Sequence, residues 1–322
     1  MHTCPPPKEA LEEWLEEDLT TKGRFGHLLL EQKEVELEAV GQALRPYFES
    51  AHLDARTTFH ADIGIDLHPD AAEGEEAPVQ YPRCLPSTTR KGLFGEVMAG
   101  LITESYEFVG KHKWCVPVFL FRYHQDARNY LFDLARNPDK TRQTIGRLGS
   151  DFIGLKLNSD GSVERIISGE AKWRKALSES VVDILMYGKK IPDPSGGEEK
   201  IHSGKGIWNE VNNDPPVPNG VRDLMRVLEQ CDPEGFDAAI LSMEQALVLR
   251  DPKPLPKTDL ILIVGNGAKK REEKECLLPF DGMPDDYTAG HDLQLVEVVL
   301  SDGEKLIDSL YESLWSGGDS DA

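Results

Sequence analysis

The chain has little of what marks secreted, membrane-spanning or disulfide-bonded proteins. Its five cysteines are scattered over 322 residues and never form a C-x-x-C pair. This odd number and wide spacing argue against both a disulfide framework and a structural zinc site. No window approaches the roughly 18 apolar residues of a membrane span, and no basic stretch followed by an apolar one opens the sequence. We therefore expect a soluble protein of the reducing cytoplasm without membrane partners.

Several catalytic signatures are also missing. The segment Ser203-Gly-Lys-Gly206 lacks the upstream glycine of a phosphate-binding loop, because Glu199 occupies that position. The nine histidines show no paired spacing typical of a metal site, and no G-x-S-x-G elbow is present. The sequence therefore gives no indication of ATP hydrolysis or of serine-based catalysis.

Basic charge is scarce, with 36 Lys and Arg against 57 Asp and Glu and a net charge of −21. A nucleic-acid ligand normally requires a basic surface, so this balance opposes one. The charge is unevenly distributed, however. Residues 1–85 hold 7 basic against 18 acidic side chains, residues 86–180 hold 15 against 11, and residues 181–322 hold 14 against 28. Only the middle segment is basic, and the acidic flanks are typical of a surface that maintains solubility.

An α/β pattern is present, and the hydrophobic content of 39% is sufficient for a full core. Residues 8–50 are predicted as two helices, the second of which contains Leu28 to Leu30. A polar stretch from Asp70 to Pro78 follows, so we place a boundary near residue 86. We expect a mainly helical N-terminal region at 1–86, an α/β domain with a mixed central sheet flanked by helices at 87–315, and a disordered tail at 316–322.

The predicted domain begins as helix, strand, strand, strand, helix. These five elements are Thr88 to about Tyr106, Trp114 to Tyr123, Asp151 to Leu157, Val163 to Glu170, and Trp173 to about Tyr187. Asn158-Ser-Asp-Gly161 favours a tight hairpin turn between the last two strands. A long loop is predicted at 188–220. The later elements are helices near 221–230 and 242–249, strands at Leu260 to Val264 and Leu293 to Leu300, and a terminal helix from Asp302 to Trp315.

Three residues of the predicted hairpin carry the clearest chemical signal. Glu170 and Lys172 are two residues apart near the end of one strand, so they project from the same face. Asp151 opens the other strand, and pairing of the two strands brings it to the level of Glu170. Two carboxylates can hold Mg²⁺, which neutralises charge on a phosphodiester, and Lys172 can orient or deprotonate the attacking water. The pattern therefore indicates metal-dependent phosphodiester hydrolysis.

The E-x-K spacing alone is not specific. Other segments of the chain fit the same acidic-x-Lys pattern, among them Glu198 to Lys200, Asp251 to Lys253 and Glu272 to Lys274. Only Glu170-Ala171-Lys172 follows an apolar strand, has an acidic partner in Asp151, and lies in the basic segment. The competing interpretation is an ordinary surface salt-bridge cluster.

This arrangement, preceded by a helix that carries Glu96, resembles the core of the PD-(D/E)XK nucleases. The resemblance covers about residues 88–190 and one later strand, and it departs at Ser150, where the family pattern has proline. It implies an α-β-β-β-α-β core in which Asp151 and Glu170 bind Mg²⁺ or Mn²⁺ and Lys172 assists the water. It also implies DNA as the substrate, with Glu96 as an auxiliary ligand. The alternative for Glu96 is a solvated residue on the helix surface.

Five basic residues are candidates for phosphate contacts: Lys140, Arg142 and Arg147 before Asp151, and Arg174 and Lys175 at the predicted helix start after Lys172. Solvated helix charges are the alternative for the last two. Trp173 could stack on a base, although a buried tryptophan that anchors the helix is the favoured interpretation.

The wider layout resembles the nuclease subunit of the Hachiman antiphage systems. That resemblance implies a bacterial defence nuclease that works with a separate helicase-type subunit and is inactive until infection. An acidic surface fits a protein that docks a basic partner and binds DNA weakly alone. The alternative from another class is an interaction subunit that keeps the fold and has lost catalysis.

Overall fold

A six-stranded mixed sheet organises the computed structural model, which describes residues 1–63, 80–124, 128–129, 131, 152–195, 197, 199–213, 215, 217–248 and 251–316. Its strands are β1 (Leu15–Lys22), β2 (Phe25–Gln32), β3 (Phe152–Leu157), β4 (Val163–Leu177), β7 (Lys257–Gly267) and β8 (Asp292–Leu300). Their order across the sheet is β1-β2-β8-β7-β4-β3. The four central strands are parallel to one another, and β1 and β3 pair antiparallel at the two edges.

Helices flank this sheet on both faces. The described helices are α1 (Lys8–Trp14), α2 (Leu37–Ile63), α3 (Ser87–Ser105), α4 (Glu179–Tyr187), α5 (Ile207–Asn212), α6 (Val221–Cys231), α7 (Asp237–Leu247) and α8 (Gly303–Ser313). A small hairpin of β5 (Lys190–Pro192) and β6 (Lys200–His202) and helix α5 lie within the predicted loop at 188–220. None of the helices in the described part of the chain combines the length and apolar character that a bilayer span requires.

The N-terminal region differs from the prediction of two helices. Leu28 to Leu30 lie in strand β2, and this strand pairs with β8 inside the central sheet. A strand buried on both faces forms an unbroken apolar run, and periodicity alone cannot distinguish such a run from a buried helix. The prediction of a helix here is therefore wrong, and the sheet extends across the predicted boundary near residue 86.

The strand predicted at Trp114 to Tyr123 is also absent as a regular strand. Cys115 forms an isolated bridge with Leu155, and a short 3-10 turn spans Leu120–Tyr123. Pro117 interrupts the run because proline has no backbone N–H to donate to a neighbouring strand. Its carbonyl oxygen instead accepts a hydrogen bond of 2.8 Å from the backbone N–H of His2.

Strand β4 is longer than predicted and replaces the start of the following helix. It continues to Leu177, with parallel pairing to β7 from Ile166 to Arg174, and helix α4 begins only at Glu179. The predicted helix start at Trp173 is therefore wrong. Parallel pairing with a buried neighbour outweighs the amphipathic pattern in this segment, because tertiary contacts override local propensity.

Alternation along β4 assigns its side chains to two different cores. Ile167, Ala171 and Trp173 pack on the face covered by α2, α3 and α8. Ile166 packs on the opposite face against α6 and α7. Further along that opposite face, Ile261 of β7 packs with residues of α4 and α5. The second face is therefore covered by two separate helix pairs.

Close packing of β4 against β7 can be tested at Gly169. A Cβ atom added there would overlap the backbone of Leu260 in β7. We expect Gly169→Ala to lower the free energy of unfolding by about 1–3 kcal/mol, as overpacking of a tight interior does. The matched control is Gly92→Ala in helix α3, where an added Cβ meets nothing within 4 Å. This control should be neutral or stabilising by up to about 1 kcal/mol. Equal urea midpoints for wild type and Gly169→Ala would contradict the packing.

Candidate active site

Glu170 and Lys172 form an ion pair on one face of β4. Lys172 Nζ donates to Glu170 Oε2 across 2.6 Å. Residues i and i+2 of a strand share a face, so the extended backbone itself places the two side chains together. The side chain of Glu170 is 10% exposed and that of Lys172 is 29% exposed. The carboxylate is therefore sheltered, whereas the ammonium group reaches solvent.

The surroundings of this pair are apolar. Glu170 is in register with Ile261 of β7, and Lys172 is in register with Ile263. Both isoleucines belong to the cluster under α4 and α5, whereas Ile166, further back on β4, belongs to the cluster under α6 and α7. The pair therefore lies where the two helix pairs meet. Limited access of water there strengthens electrostatic interactions relative to those on an open surface.

The position of Asp151 lies outside the described residues. The hairpin predicted to bring it to Glu170 is present: β3 and β4 pair antiparallel, and Phe152 pairs with Gly169 at the end of the described register. The turn is also present, with Gly161 at a φ of 82° that favours glycine. The predicted phosphate contacts Lys140, Arg142 and Arg147 likewise lie outside the described residues.

Glu96 lies on α3, which covers the other face of β4. The nearest atoms to a Cβ added at its neighbour Gly95 are the Ala171 oxygen and the Trp173 nitrogen, both 3.7 Å away, so α3 packs closely over β4. Strand alternation, however, directs Glu170 away from this face. The Glu96 carboxylate lies 3.6 Å from Nε2 of His124, and both side chains are buried. The structure thus does not bring Glu96 together with Glu170, and Glu96 is not a solvated surface residue.

A further buried histidine lies on the α3 side of the sheet. His52 is fully buried, and its two ring nitrogens lie 3.0 Å from the Tyr81 hydroxyl and 3.1 Å from the Tyr311 hydroxyl. Burial, with a smaller contribution from His124, lowers the pKa of His52 to about 3. The ring therefore stays neutral at physiological pH, and its hydrogen bonds indicate a structural role that joins α2 to α8.

The basic residues after Lys172 lie on a strand. Arg174 is exposed and donates to the backbone oxygen of Trp173 across 2.7 Å, and Lys175 forms an ion pair of 3.1 Å with Glu304. The prediction that they flank a helix N-terminus is wrong, because α4 begins after them. Trp173 is buried and meets Phe94 edge-on at 5.8 Å between ring centres. The favoured interpretation of Trp173 as a buried anchor agrees with this position, although it anchors β4 to α3.

Sequence reasoning missed a polar cluster on the face that carries Glu170. Asp259 of β7 is in register with Ser168, two residues before Glu170, so it shares this face. Its carboxylate accepts hydrogen bonds from Lys257 at 2.9 Å, from His291 at 3.1 Å and from the Tyr287 hydroxyl. The signal in the sequence is the pair Lys257 and Asp259 at the start of an otherwise apolar strand.

Comparisons with known proteins do not assign the chain to a family. No protein-family model matches the sequence, and no curated protein matches it significantly.

The charge of Asp259 should make the stability of the fold depend on pH. Burial alone would raise the pKa of this carboxyl, but the hydrogen bonds and charges of His291, Lys257 and Tyr287 hold it below 3.8. A lowered folded pKa contributes stability that is present above the unfolded value and is lost as pH falls through the folded value. We expect Asp259→Asn to lower the free energy of unfolding by about 3 kcal/mol at pH 7, because the buried ion pair between Lys257 and the Asp259 carboxylate is broken.

The difference in unfolding free energy between wild type and Asp259→Asn should become smaller as pH falls from about 5 to below 3.8, which is the ordinary pKa of an Asp carboxyl. Urea unfolding of both proteins at pH 7, 5 and 3 measures the difference. Asp281→Asn is the control, since Asp281 lies on the β7–β8 connection that carries Tyr287 and His291 and has a fully exposed side chain. A pH-independent cost at Asp259 would mean that its charge does not stabilise the fold.

Proposed function

We propose that the chain is an Mg²⁺-dependent nuclease that cleaves DNA. The observation that carries the proposal is the Glu170–Lys172 pair, two residues apart on a buried strand and partly open to solvent. The hairpin register up to Phe152 and Gly169 supports the expected proximity of Asp151 to Glu170. These are the side chains that metal-assisted phosphodiester hydrolysis requires: carboxylates for a hard cation and an amine for the attacking water.

The carboxylates proposed for this site are ligands that Mg²⁺ prefers. Mg²⁺ binds through one or two carboxylates and keeps several waters, so a sheltered carboxylate beside a solvent-facing group is a suitable ligand. Glu170 and, on the proposal, Asp151 would hold the cation. Asp259 is less suitable because Lys257, Tyr287 and His291 already donate to its carboxylate. When bound, the metal would neutralise charge on the phosphate oxygens.

Lys172 supplies the other half of the proposed chemistry. Its ammonium group donates to Glu170, which fixes the direction of the flexible lysine chain. Its partial exposure lets the same amine reach a water that attacks phosphorus from the solvent side. The apolar neighbours Ile261 and Ile263 limit access of other waters to the site. In this proposal Lys172 orients or deprotonates the attacking water, and Glu170 holds both the metal and Lys172.

The distribution of charge supports DNA as the substrate and a basic protein as the partner. Arg174 is exposed on β4 beyond Lys172 and on the same face, where it can contact backbone phosphates. Exposed Lys175 next to it pairs with Glu304 of α8. The excess of acidic side chains opposes the approach of a polyanion to the chain alone. A basic partner, of the helicase type that the Hachiman resemblance implies, would overcome this repulsion and deliver the substrate. A defence role rests on that resemblance.

A second candidate function is that of a catalytically inactive scaffold with a nuclease-like fold. The observation that favours it is the ion pair itself, because Lys172 neutralises Glu170 without any metal. A sheltered pair of this kind can simply satisfy two charges within the fold. The two candidates differ in what happens when the pair is broken.

Substitution of Lys172 separates these candidates. We expect Lys172→Ala to retain Mn²⁺ binding, because an ammonium group is not a metal ligand, and to lose about 100-fold or more in cleavage rate. Lys172→Arg should restore little, because a guanidinium group stays protonated. Glu170→Gln should abolish cleavage and weaken Mn²⁺ binding. The measurements are Mn²⁺ calorimetry and cleavage of supercoiled plasmid, with candidate partners present.

The control is a second Glu–Lys pair on the same hairpin. Lys156 donates to Glu164 across 2.7 Å, at the end remote from Glu170. Lys156→Ala and Glu164→Gln should leave cleavage unchanged. Thermal unfolding of every variant excludes loss of the fold as the cause. No cleavage above background by the wild type, or the same background cleavage by wild type, Lys172→Ala and Glu170→Gln, would favour the scaffold.

Charge distribution leads to a separate prediction for DNA binding. The isolated chain should bind duplex DNA weakly at physiological salt, and its affinity should rise only moderately as salt is lowered, since few phosphate contacts release few counterions. Fluorescence anisotropy of a labelled duplex between 50 and 200 mM salt measures both effects. Tight binding that does not depend on salt would contradict a site built from few phosphate contacts.

A further inference from the structure

A second group of metal-binding side chains lies on the same face of the sheet, on strands β2 and β8. His27 of β2 and Glu297 of β8 are buried, and Nε2 of His27 lies 2.8 Å from Oε1 of Glu297. Both residues are surrounded by the apolar cluster that contains Phe25 and Leu295. A charged group in such surroundings needs strong partners, so the position of Glu297 calls for an explanation.

The segment between β7 and β8 completes the group. The backbone N–H groups of Leu277 and Leu278 donate to the Glu297 carboxylate at 2.9 to 3.1 Å. These contacts fix the carboxylate and bring the preceding residue, Cys276, beside it. One ligand atom each from His27, Cys276 and Glu297 lies within 4.8 Å of the other two. An imidazole, a thiol and a carboxylate from three separate elements thus converge.

We propose that His27, Cys276 and Glu297 bind Zn²⁺. Zn²⁺ accepts nitrogen, sulfur and oxygen ligands in a tetrahedral arrangement, and a thiolate ligand disfavours hard cations such as Mg²⁺. Three protein ligands leave a fourth position, and Cys276 is exposed, so solvent can reach that position. The site is distinct from the proposed catalytic centre in both donor chemistry and location.

The distances require a small adjustment. Ligand atoms about 2.1 Å from a tetrahedral zinc are roughly 3.4 Å apart, so His27 Nε2 and Glu297 Oε1 must separate by about 0.6 Å. The metal then replaces the hydrogen bond between them, and His27 carries its proton on Nδ1. The thiol of Cys276 gives its proton to solvent as the sulfur–metal bond forms.

Bound zinc would fasten the β7–β8 connection to the sheet. This connection also carries Tyr287 and His291, which hold Asp259. Binding of a metal by the folded state alone stabilises that state in proportion to RT ln(1 + [L]/Kd). Zinc should therefore raise the melting temperature of the chain.

Cobalt titration of the metal-free full-length chain tests the proposal. Co²⁺ should bind one equivalent and give a thiolate-to-cobalt charge-transfer band, and Zn²⁺ should abolish that band by displacement. Cys276→Ser should remove the band and weaken binding by at least about 100-fold, because loss of even an outer-shell partner costs about 10–100-fold. Cys231→Ser is the matched control, since Cys231 is also exposed but ends helix α6. It should bind as wild type does.

Thiol labelling gives an independent readout on the unaltered chain. Zn²⁺ should protect Cys276 from maleimide, as mapped by mass spectrometry, while Cys231 continues to react. Glu170→Gln should keep both the band and the protection, because it alters only the proposed catalytic centre. Absence of a charge-transfer band, equal binding by Cys276→Ser, or labelling of Cys276 that zinc does not change would each overturn the proposal.

Discussion

The parallel pairing of β4 with β7 is the constraint on which the rest of the structure depends. It holds β4 extended from Val163 to Leu177, and this long extended backbone sorts the side chains strictly between two faces. Ala171 and Trp173 complete the core under α3, while Glu170 and Lys172 face the other helices. Had the chain entered a helix at Trp173, Lys172 would sit at a helix start and its position relative to Glu170 would not be fixed by the strand.

On the face of the sheet that carries Glu170, three buried carboxylates stand out among the described residues. Each of them is stabilised by a different set of partners. Glu170 has an ammonium partner from its own strand, and Asp259 has three donors from two segments. Glu297 has two backbone N–H groups and an imidazole. Burial of a carboxylate costs several kcal/mol unless such partners are present, so these clusters restrict which strand register and loop path the chain can adopt. On the two proposals made above, the clusters of Glu170 and Glu297 also bind cations.

The sequence predicted those parts of the molecule whose signal is local. Helix α3, the hairpin turn at Gly161, strands β7 and β8 and the terminal helix are present where expected. The prediction was wrong where the decisive contact is distant: β2 is a strand because β8 lies beside it, and β4 extends because β7 does. That Glu170 and Lys172 share one face of a strand was predictable from their spacing. The proximity of His27 and Cys276 was not, since 248 residues intervene between them and no spacing rule covers such a pair.

The register of the strands also places the two proposed metal sites close to each other. Lys172, Ile263 and Glu297 are successive partners across β4, β7 and β8. Neighbouring strands are about 4.8 Å apart, so the two sites are about 10 Å from each other with one isoleucine between them. Zinc with one thiolate adds one positive charge, and this charge repels a divalent Mn²⁺ at that distance by about 3 kcal/mol at an effective dielectric constant near 20. On the two proposals together, zinc should therefore weaken Mn²⁺ binding at Glu170 by a factor on the order of 100, and calorimetry with and without zinc would show whether the sites are coupled in this way.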